Sequence, residues 1–296
     1  MPSAAGPGPF ALSVRLRLRS YWALIKSLQT GLLLMTGIAG YLSAHAMVHA
    51  MGIWHLIPSL LLAISGSTVL NMWWDRDIDA KMQRTHMRPA PAGVIASRDI
   101  LSFGLVASIA GVGWAMLLDL KFGAAVFAGW FFDVVVYTVW LKRRTCWAIL
   151  WGGIAGAIPI LAGRVLAVGR LDPIGILLAA SVLFWIPTHT LTFSLKFFED
   201  YQAAGVPTFP ARYGARFTYL LIAVSSIVAG IAMSTAAVWI GAAEGILALV
   251  FLLSTALLFL AAAAMIRPSD RMNMRLYKYA SVYMLLSMLL LIPTHV

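Results

Sequence analysis

The sequence predicts an all-α, polytopic membrane protein, a bundle of nine transmembrane helices forming one integral domain. Three observations carry this expectation. Of 296 residues, 61% are hydrophobic and 11% charged, with a mean hydropathy of +0.87; soluble domains are about 25% charged. The apolar residues gather into runs close to the ~20 residues that cross a hydrocarbon core. These runs lie near 22–44, 50–71, 99–118, 122–141, 147–168, 173–195, 217–240, 245–266 and 276–293. Basic residues then fall on alternate sides. Of the 22 Lys and Arg, 19 lie in the N-terminal segment and around the 72–98, 142–146, 196–216 and 267–278 loops, leaving Lys121, Arg164 and Arg170 opposite. The positive-inside rule makes the first set cytoplasmic, with the N-terminus inside and the C-terminus outside.

Taken in order, residues 1–20 carry three arginines, no acid and no apolar stretch of their own. They read as a cytoplasmic tail ahead of a domain over 21–296, not as a cleaved signal. Lys26 stands at the cytoplasmic end of the first run. His45 and His49 follow on the outer side, at a spacing that suits a metal but a position that suits the interface. The second run ends in Asn71-Met72-Trp73-Trp74-Asp75-Arg76-Asp77-Ile78-Asp79, then Lys81, Arg84 and Arg88. The fourth contains Asp133 and ends in Tyr137-Thr138 and Lys142-Arg143-Arg144. The fifth carries Gly152-Gly153 and Gly156; Arg164 near its end and Arg170 just after it flank an outer loop and read as anchors. The sixth holds Pro187, expected to kink it, then His189, Lys196, Glu199 and Asp200. The last three runs carry no comparable cluster.

Net charge is +11, which topology and attraction to anionic lipid headgroups explain. No basic segment carries a nucleic-acid motif. The single Cys146 excludes a disulfide within the chain and a multi-cysteine metal site.

The first polar cluster holds the densest chemistry. On a helix Asn71, Asp75 and Asp79 fall at i, i+4 and i+8 and share one face, with Asp77 off it. Carboxylates at a membrane boundary are costly and mark function. Mg²⁺ is bound through one or two carboxylates plus substrate phosphates, and arginines grip phosphate oxygens with two donors. Asp75 and Asp79, with Asn71 orienting them and Arg84 and Arg88 beside them, therefore suit a Mg²⁺-bound diphosphate. In the sixth run His189, Lys196 and Asp200 project within about 20° of one line if the helix continues. Asp200 then offers a second metal ligand and Lys196 a phosphate contact. Asp133 lies one turn before Tyr137, either as a site residue or in a buried ion pair.

These pieces resemble the UbiA superfamily of intramembrane prenyltransferases. The match rests on the Asn71-x-x-x-Asp75-x-x-x-Asp79 run, Arg84-Thr85 with Arg88-Pro89, Tyr137-Thr138 with Leu141-Lys142-Arg143, Gly152-Gly153-x-x-Gly156-Ala157, and His189 followed by Asp200-Tyr201-x-x-Ala204-Gly205-Val206-Pro207. Weaker similarity covers Tyr21–Tyr41, so the resemblance spans roughly 21–214. The Asn-Met-Trp-x-Asp and Asp-Tyr-x-x-Ala-Gly-Val-Pro wording is most similar to the branch that farnesylates protoheme IX, the heme O synthases.

That resemblance implies farnesyl diphosphate as donor, heme B as substrate and acceptor, and Mg²⁺ bound by Asp75, Asp79 and Asp200 in a bacterial or archaeal cell membrane, with the site toward the cytoplasm. Diphosphate departure leaves an allylic cation that adds to a heme vinyl group, and water then supplies a hydroxyl. Lys196, Arg84, Arg88, Lys142 and Arg143 would supply fixed positive charge, with Lys26 also on the substrate. Trp73 and Tyr137 offer aromatic faces to the cation. His189 is the candidate contact to the acceptor or its iron, and a later heme-modifying enzyme is an expected partner. The sequence departs from the branch at Lys26-Ser27, at Pro159 to Arg164, after His189 and at Thr208-Phe209. A relative with a quinone-precursor, chlorin or lipid acceptor therefore stays open. A transporter or heme carrier is the competing class. Transporters place polar groups near the midplane and often show inverted repeats; here the acids collect at helix ends, and no repeat is evident.

Overall fold

The computed structural model describes residues 14–44 and 50–292, and among them every regular element is a helix. His45 and His49 lie outside the described residues. The helices are α1 (Val14–Leu24), α2 (Ser27–Leu42), α3 (Ala50–Trp74), α4 (Arg76–Asp79), α5 (Ser97–Leu118), α6 (Leu120–Phe131), α7 (Ala148–Val168), α8 (Pro173–Lys196), α9 (Phe198–Ala203), α10 (Phe209–Ile240), α11 (Glu244–Ile266) and α12 (Asp270–Leu290). Helix α6 continues as a π-helix over Phe132–Leu141.

Seven of these helical stretches are long and apolar enough to cross a membrane. The expected first and ninth spans are present as α2 and α12 but fall outside that set. Helix α2 has 16 residues, short of a full crossing. Helix α12 opens with Asp270, Arg271, Arg275 and Lys278, which lower its hydropathy. Two boundaries also moved. Helix α1 runs through residue 20, where the tail was expected to end. The seventh run starts early, at Phe209, because a short helical turn joins it across Gly214, whose φ of 81° only glycine adopts freely.

The helices pack around two apolar centres. One joins α8, α10, α11 and α12 through Leu178, Ile222, Met233, Leu257 and Tyr283. The other joins α2, α3, α5, α6 and α7 through Tyr41, Leu56, Phe122, Ile158 and Ala162. Helices α2 and α7 approach closely because small residues face each other. A Cβ on Gly40 would strike the Ile160 carbonyl oxygen, and one on Gly163 the Gly37 carbonyl oxygen. Between the two centres lies a cavity of about 600 Å³, walled by α2, α3, α6, α7, α8 and α12.

Arg164, expected as an interfacial anchor, is instead buried. Its guanidinium grips the Asp172 carboxylate at 2.8–2.9 Å and donates to the Ser43 carbonyl and hydroxyl at 3.0 and 2.9 Å. Asp172 also caps α8 by accepting from the Gly175 N–H at 2.9 Å. Three elements are thereby tied at one end of the bundle. Burial pushes the Asp172 carboxyl up, but the Arg164 and Gly175 hydrogen bonds outweigh it and hold the pKa below the ordinary value. Its contribution to stability is therefore full above the unfolded carboxylate pKa and lost as pH falls through the folded one. Asp172→Asn leaves Arg164 buried and unpaired, so it should cost about 3 kcal/mol at neutral pH. Thermal unfolding in detergent should show a lower midpoint for the variant at pH 7, with the gap to wild type closing as the medium is acidified.

Candidate active site

The charged end of α3 builds the site. The helix ends at Trp74 as Asp75 leaves helical geometry (φ −88°, ψ 6°), yet the i to i+4 bonds persist. The Asp75 N–H donates to the Asn71 carbonyl at 3.0 Å and the Asp79 N–H to the Asp75 carbonyl at 2.8 Å. Asn71, Asp75 and Asp79 therefore keep their helical spacing through the break. Asp75 and Asp79 are buried, at 1% and 7% exposure, and Asp77 points to the open side.

Each aspartate has its own cation. Asp75 Oδ2 accepts from Lys142 Nζ. Asp79 Oδ2 accepts from Arg88 Nη1 at 2.8 Å. Asp77 takes the Arg143 guanidinium with both oxygens, at 2.7 and 2.8 Å. Arg143, expected on the substrate, is thus committed to Asp77 and to the Trp74 carbonyl at 2.9 Å. The hydrogen bond from Arg143 holds the Asp77 carboxyl below its usual range and pushes the Arg143 pKa up. Burial opposes the charge of Lys142, but Tyr137 and Asp75 outweigh it and raise its pKa.

One oxygen is left over. Asp75 Oδ1 is buried and has no hydrogen-bond partner; Arg143 Nη2 lies 3.9 Å away. An orphaned buried carboxylate oxygen is expensive. Asn71 sits beside it as an organising amide, donating from Nδ2 to Thr138 Oγ1 at 2.7 Å; Thr138 in turn donates to the Asp133 carbonyl at 2.7 Å.

The second cluster does not lie on one line as expected. Helix α8 runs unbroken through Pro187 and ends at Phe197 (φ −112°, ψ 36°), so Asp200 sits on a separate helix, α9. Its two carboxylate oxygens accept from the Gln83 and Arg84 N–H groups at 3.2 Å, which ties the loop after α4 to α9. Among the described residues, no three His, Cys, Asp or Glu groups cluster about one position. Arg84 and Lys196 both stand over the Phe197 ring, at 5.0 and 5.3 Å.

Among the described residues, the ion pairs engage Arg88, Arg98, Lys142, Arg143 and Arg164. Lys26, Arg84 and Lys196 are in none of these pairs. Lys26 holds a left-handed conformation (φ 46°, ψ 58°) between α1 and α2, strained for a residue with a Cβ. It lies within electrostatic reach of Arg88, Lys142 and Asp79.

The cavity opens beside these groups. Tyr137, Asp133 and His189 line it, and the Lys142 ammonium stands 5.6 Å from the Tyr137 ring centroid. Gly152 makes room for that ring, since a Cβ there would sit 3.1 Å from Tyr137 Cδ2. His189 is enclosed by Trp185, Phe193 and Tyr277, with ring centroids 4.9–5.7 Å away, and its buried Nδ1 has no hydrogen-bond partner. Trp73, expected to face the substrate, instead packs with Leu24 and Val69 and donates from Nε1 to Ser97 Oγ at 2.8 Å. The run supplied two adjacent tryptophans, and the helix turn sent this one toward the loop before α5. The polar link Asn71–Thr138–Asp133 was missed in sequence because it joins residues 67 apart across two helices; the only signal was the burial of a carboxylate in an apolar run.

A model of the UbiA prenyltransferase family matches residues 33–289. The chain belongs to the UbiA prenyltransferase family. It is a prenyltransferase. Among its relatives, protoheme IX farnesyltransferase of Archaeoglobus fulgidus is 38% identical over 268 residues, covering 90% of this chain and 94% of the relative. That of Pyrobaculum islandicum is 35% identical, covering 92% and 98%. A solved UbiA homologue from Archaeoglobus fulgidus, bound to GPP and Mg²⁺, shares the fold with a TM-score of 0.67 at 16% identity, covering 92% of this chain and 99% of that one. The site fits such an ion on its own terms. Asp75 Oδ1 is a vacant hard ligand next to the Asp79 carboxylate, and Mg²⁺ takes its remaining oxygens from phosphate and water.

The Lys142–Asp75 pair gives a direct test of this electrostatic frame. Lys142→Met leaves the Asp75 charge buried without its partner and should cost about 3 kcal/mol. Combining it with Asp75→Asn should restore part of that loss. Denaturation of the four proteins in detergent checks this, the double variant being expected to unfold later than Lys142→Met alone.

Proposed function

We propose that this enzyme transfers a farnesyl group from farnesyl diphosphate to a vinyl group of heme B, giving heme O and diphosphate, with Mg²⁺ as its metal. In the proposed topology nine helical spans cross the membrane, the first made by the end of α1 together with α2 and the last by α12, the N-terminus is cytoplasmic, the C-terminus is outside, and the site faces the cytoplasm. Residues 1–20 then form a tail, and 21–296 one integral domain. The observation that carries the reading is the unpartnered, buried Asp75 oxygen, whose Lys142 partner stands over the cavity-lining Tyr137 ring, in a chain so similar over nearly the full length of a protoheme IX farnesyltransferase.

The residues divide the work. Asp75 and Asp79 would hold Mg²⁺, with Asn71 fixing the frame. The metal, when bound, supplies neutralisation of the charge that gathers on the leaving diphosphate. Lys26, Arg84, Lys196 and Arg88 grip the diphosphate oxygens, the first three forming no ion pair among the described residues. Asp200 holds the Arg84 backbone in place. As the allylic C–O bond breaks, this positive frame favours the charge-separated state. The farnesyl chain lies in the apolar cavity, which keeps water from the cation, and Tyr137 offers its ring face beside the reacting carbon. His189, in its aromatic enclosure, contacts the heme acceptor.

Purified protein in detergent, given heme B, farnesyl diphosphate and Mg²⁺, should yield a hydroxyethylfarnesyl heme detectable by mass spectrometry. The product should vanish with EDTA and with Asp75→Ala. Diphosphate release with no heme adduct would replace heme B by another acceptor, and normal turnover of Asp75→Ala would remove the metal assignment.

A further inference from the structure

The cavity wall is mostly apolar, but one carboxylate lies on it. Among the described residues that line the cavity, Asp133 is the only Asp or Glu. It sits in the π-helical half of α6, and none of the ion pairs among the described residues engages it. The Ser67 hydroxyl of α3 stands within interaction range of it and donates to the Ile64 carbonyl at 3.1 Å. Thr68 lines the same cavity. The Asp133 backbone is held by Thr138, which Asn71 holds in turn. The carboxylate is thus locked to the same frame as Asp75, but on the cavity side of it.

A carboxylate placed in a largely apolar, membrane-embedded cavity is costly and marks a task; Lys26 and Lys142 act on Asp133 through space, but neither forms an ion pair with it. The ionisation step already has its electrostatics in Asp75, Asp79 and the surrounding cations. What those groups do not supply is a place for water. An ordered water needs two to four polar partners, and Asp133, Ser67 and Thr68 offer such a group on the cavity wall, with Asp133 its one carboxylate among the described lining residues.

We propose that Asp133, oriented by Ser67, holds and deprotonates the water molecule that becomes the hydroxyl of the product. The inference rests on the farnesyl-to-heme reading above. Carbon 1 of the farnesyl cation bonds to the terminal vinyl carbon, whose π pair forms the new C–C bond. The positive charge moves to the vinyl carbon next to the porphyrin. A lone pair of the water oxygen closes on that carbon, and one water proton passes to the Asp133 carboxylate, which later releases it to solvent. No oxidant or reductant is needed. Without a placed base, the same cation loses a proton from carbon instead and gives an adduct lighter by one water.

The experiment runs wild type, Asp133→Asn and Ser67→Ala with heme B, farnesyl diphosphate and Mg²⁺ in ¹⁸O-water, and measures the ratio of hydroxylated to dehydrated heme adduct. Wild type should give mainly the ¹⁸O-labelled hydroxyl product. Asp133→Asn should lower the ratio by roughly a hundredfold, the order of a general-base contribution. Ser67→Ala, which keeps the carboxylate, should lower it less. A wild-type ratio in Asp133→Asn overturns the proposal. So does a folded Asp133→Asn enzyme that forms neither adduct, because Asp133 would then act before the water step. If Asp133→Asn does not fold, Ser67→Ala decides, an unchanged ratio counting against the proposal. No heme adduct from wild type defeats the farnesyltransferase reading itself, whereas a wild-type hydroxyl adduct with unaltered variants leaves that reading standing and removes only the role of Asp133.

Discussion

The buried ion pair between Asp75 and Lys142 is the contact on which the site depends. It joins the end of α3 to the segment after α6, two parts of the chain 67 residues apart. Burying both charges carries a desolvation cost that a pair of apolar residues would avoid. The arrangement holds one Asp75 oxygen in place while leaving the other without a partner. Asp79–Arg88 and the exposed, two-pronged Asp77–Arg143 pair flank it. The three carboxylates of this short run are thus each matched by one cation, and the unmatched Lys26, Arg84 and Lys196 make the neighbourhood positive. A site neutral in its frame and positive at its mouth is suited to an anion with more than one negative charge.

The fold serves this site by keeping two apolar centres apart. Close approach of α2 and α7 through glycine brings one half together without filling the space between the halves. The π-helical segment of α6 widens the turn where Asp133, Tyr137 and Thr138 stand, and π-helical turns recur at functional sites. One wall of the cavity thereby gains a tyrosine face and a carboxylate, and the wall opposite gains a histidine in an aromatic enclosure. At the far end Arg164, Asp172 and Ser43 tie three elements with a second buried ion pair.

Much of this was legible in the chain. Hydropathy located the helices, because crossing a bilayer demands long apolar runs whatever the tertiary contacts. Helical spacing put Asn71, Asp75 and Asp79 together, because their i to i+4 bonds survive the bend at Asp75. Spacing failed for Asp200, because Phe197 breaks the helix that the count of residues assumed to continue. Partner choice was not legible. Periodicity does not tell that Arg143 goes to Asp77 or that Lys142 goes to Asp75, since both choices depend on how two distant loops meet. Trp73 and Arg164 misled for a related reason. An aromatic residue by a site and an arginine at a helix end have common interfacial uses, and only the packing around them shows the indole turned toward Ser97 and the guanidinium buried on Asp172.

The central claim is that the vacant Asp75 oxygen, with Asp79, receives a divalent cation carrying the prenyl diphosphate. Electron paramagnetic resonance of Mn²⁺ added to the detergent-solubilised protein, with and without a non-hydrolysable farnesyl thiodiphosphate, tests it most directly. Wild type should immobilise Mn²⁺ more tightly when the analogue is present, and Asp75→Asn, with its fold verified by its unfolding midpoint, should lose that binding. Equal affinity for Mn²⁺ and analogue in wild type and Asp75→Asn would contradict the account.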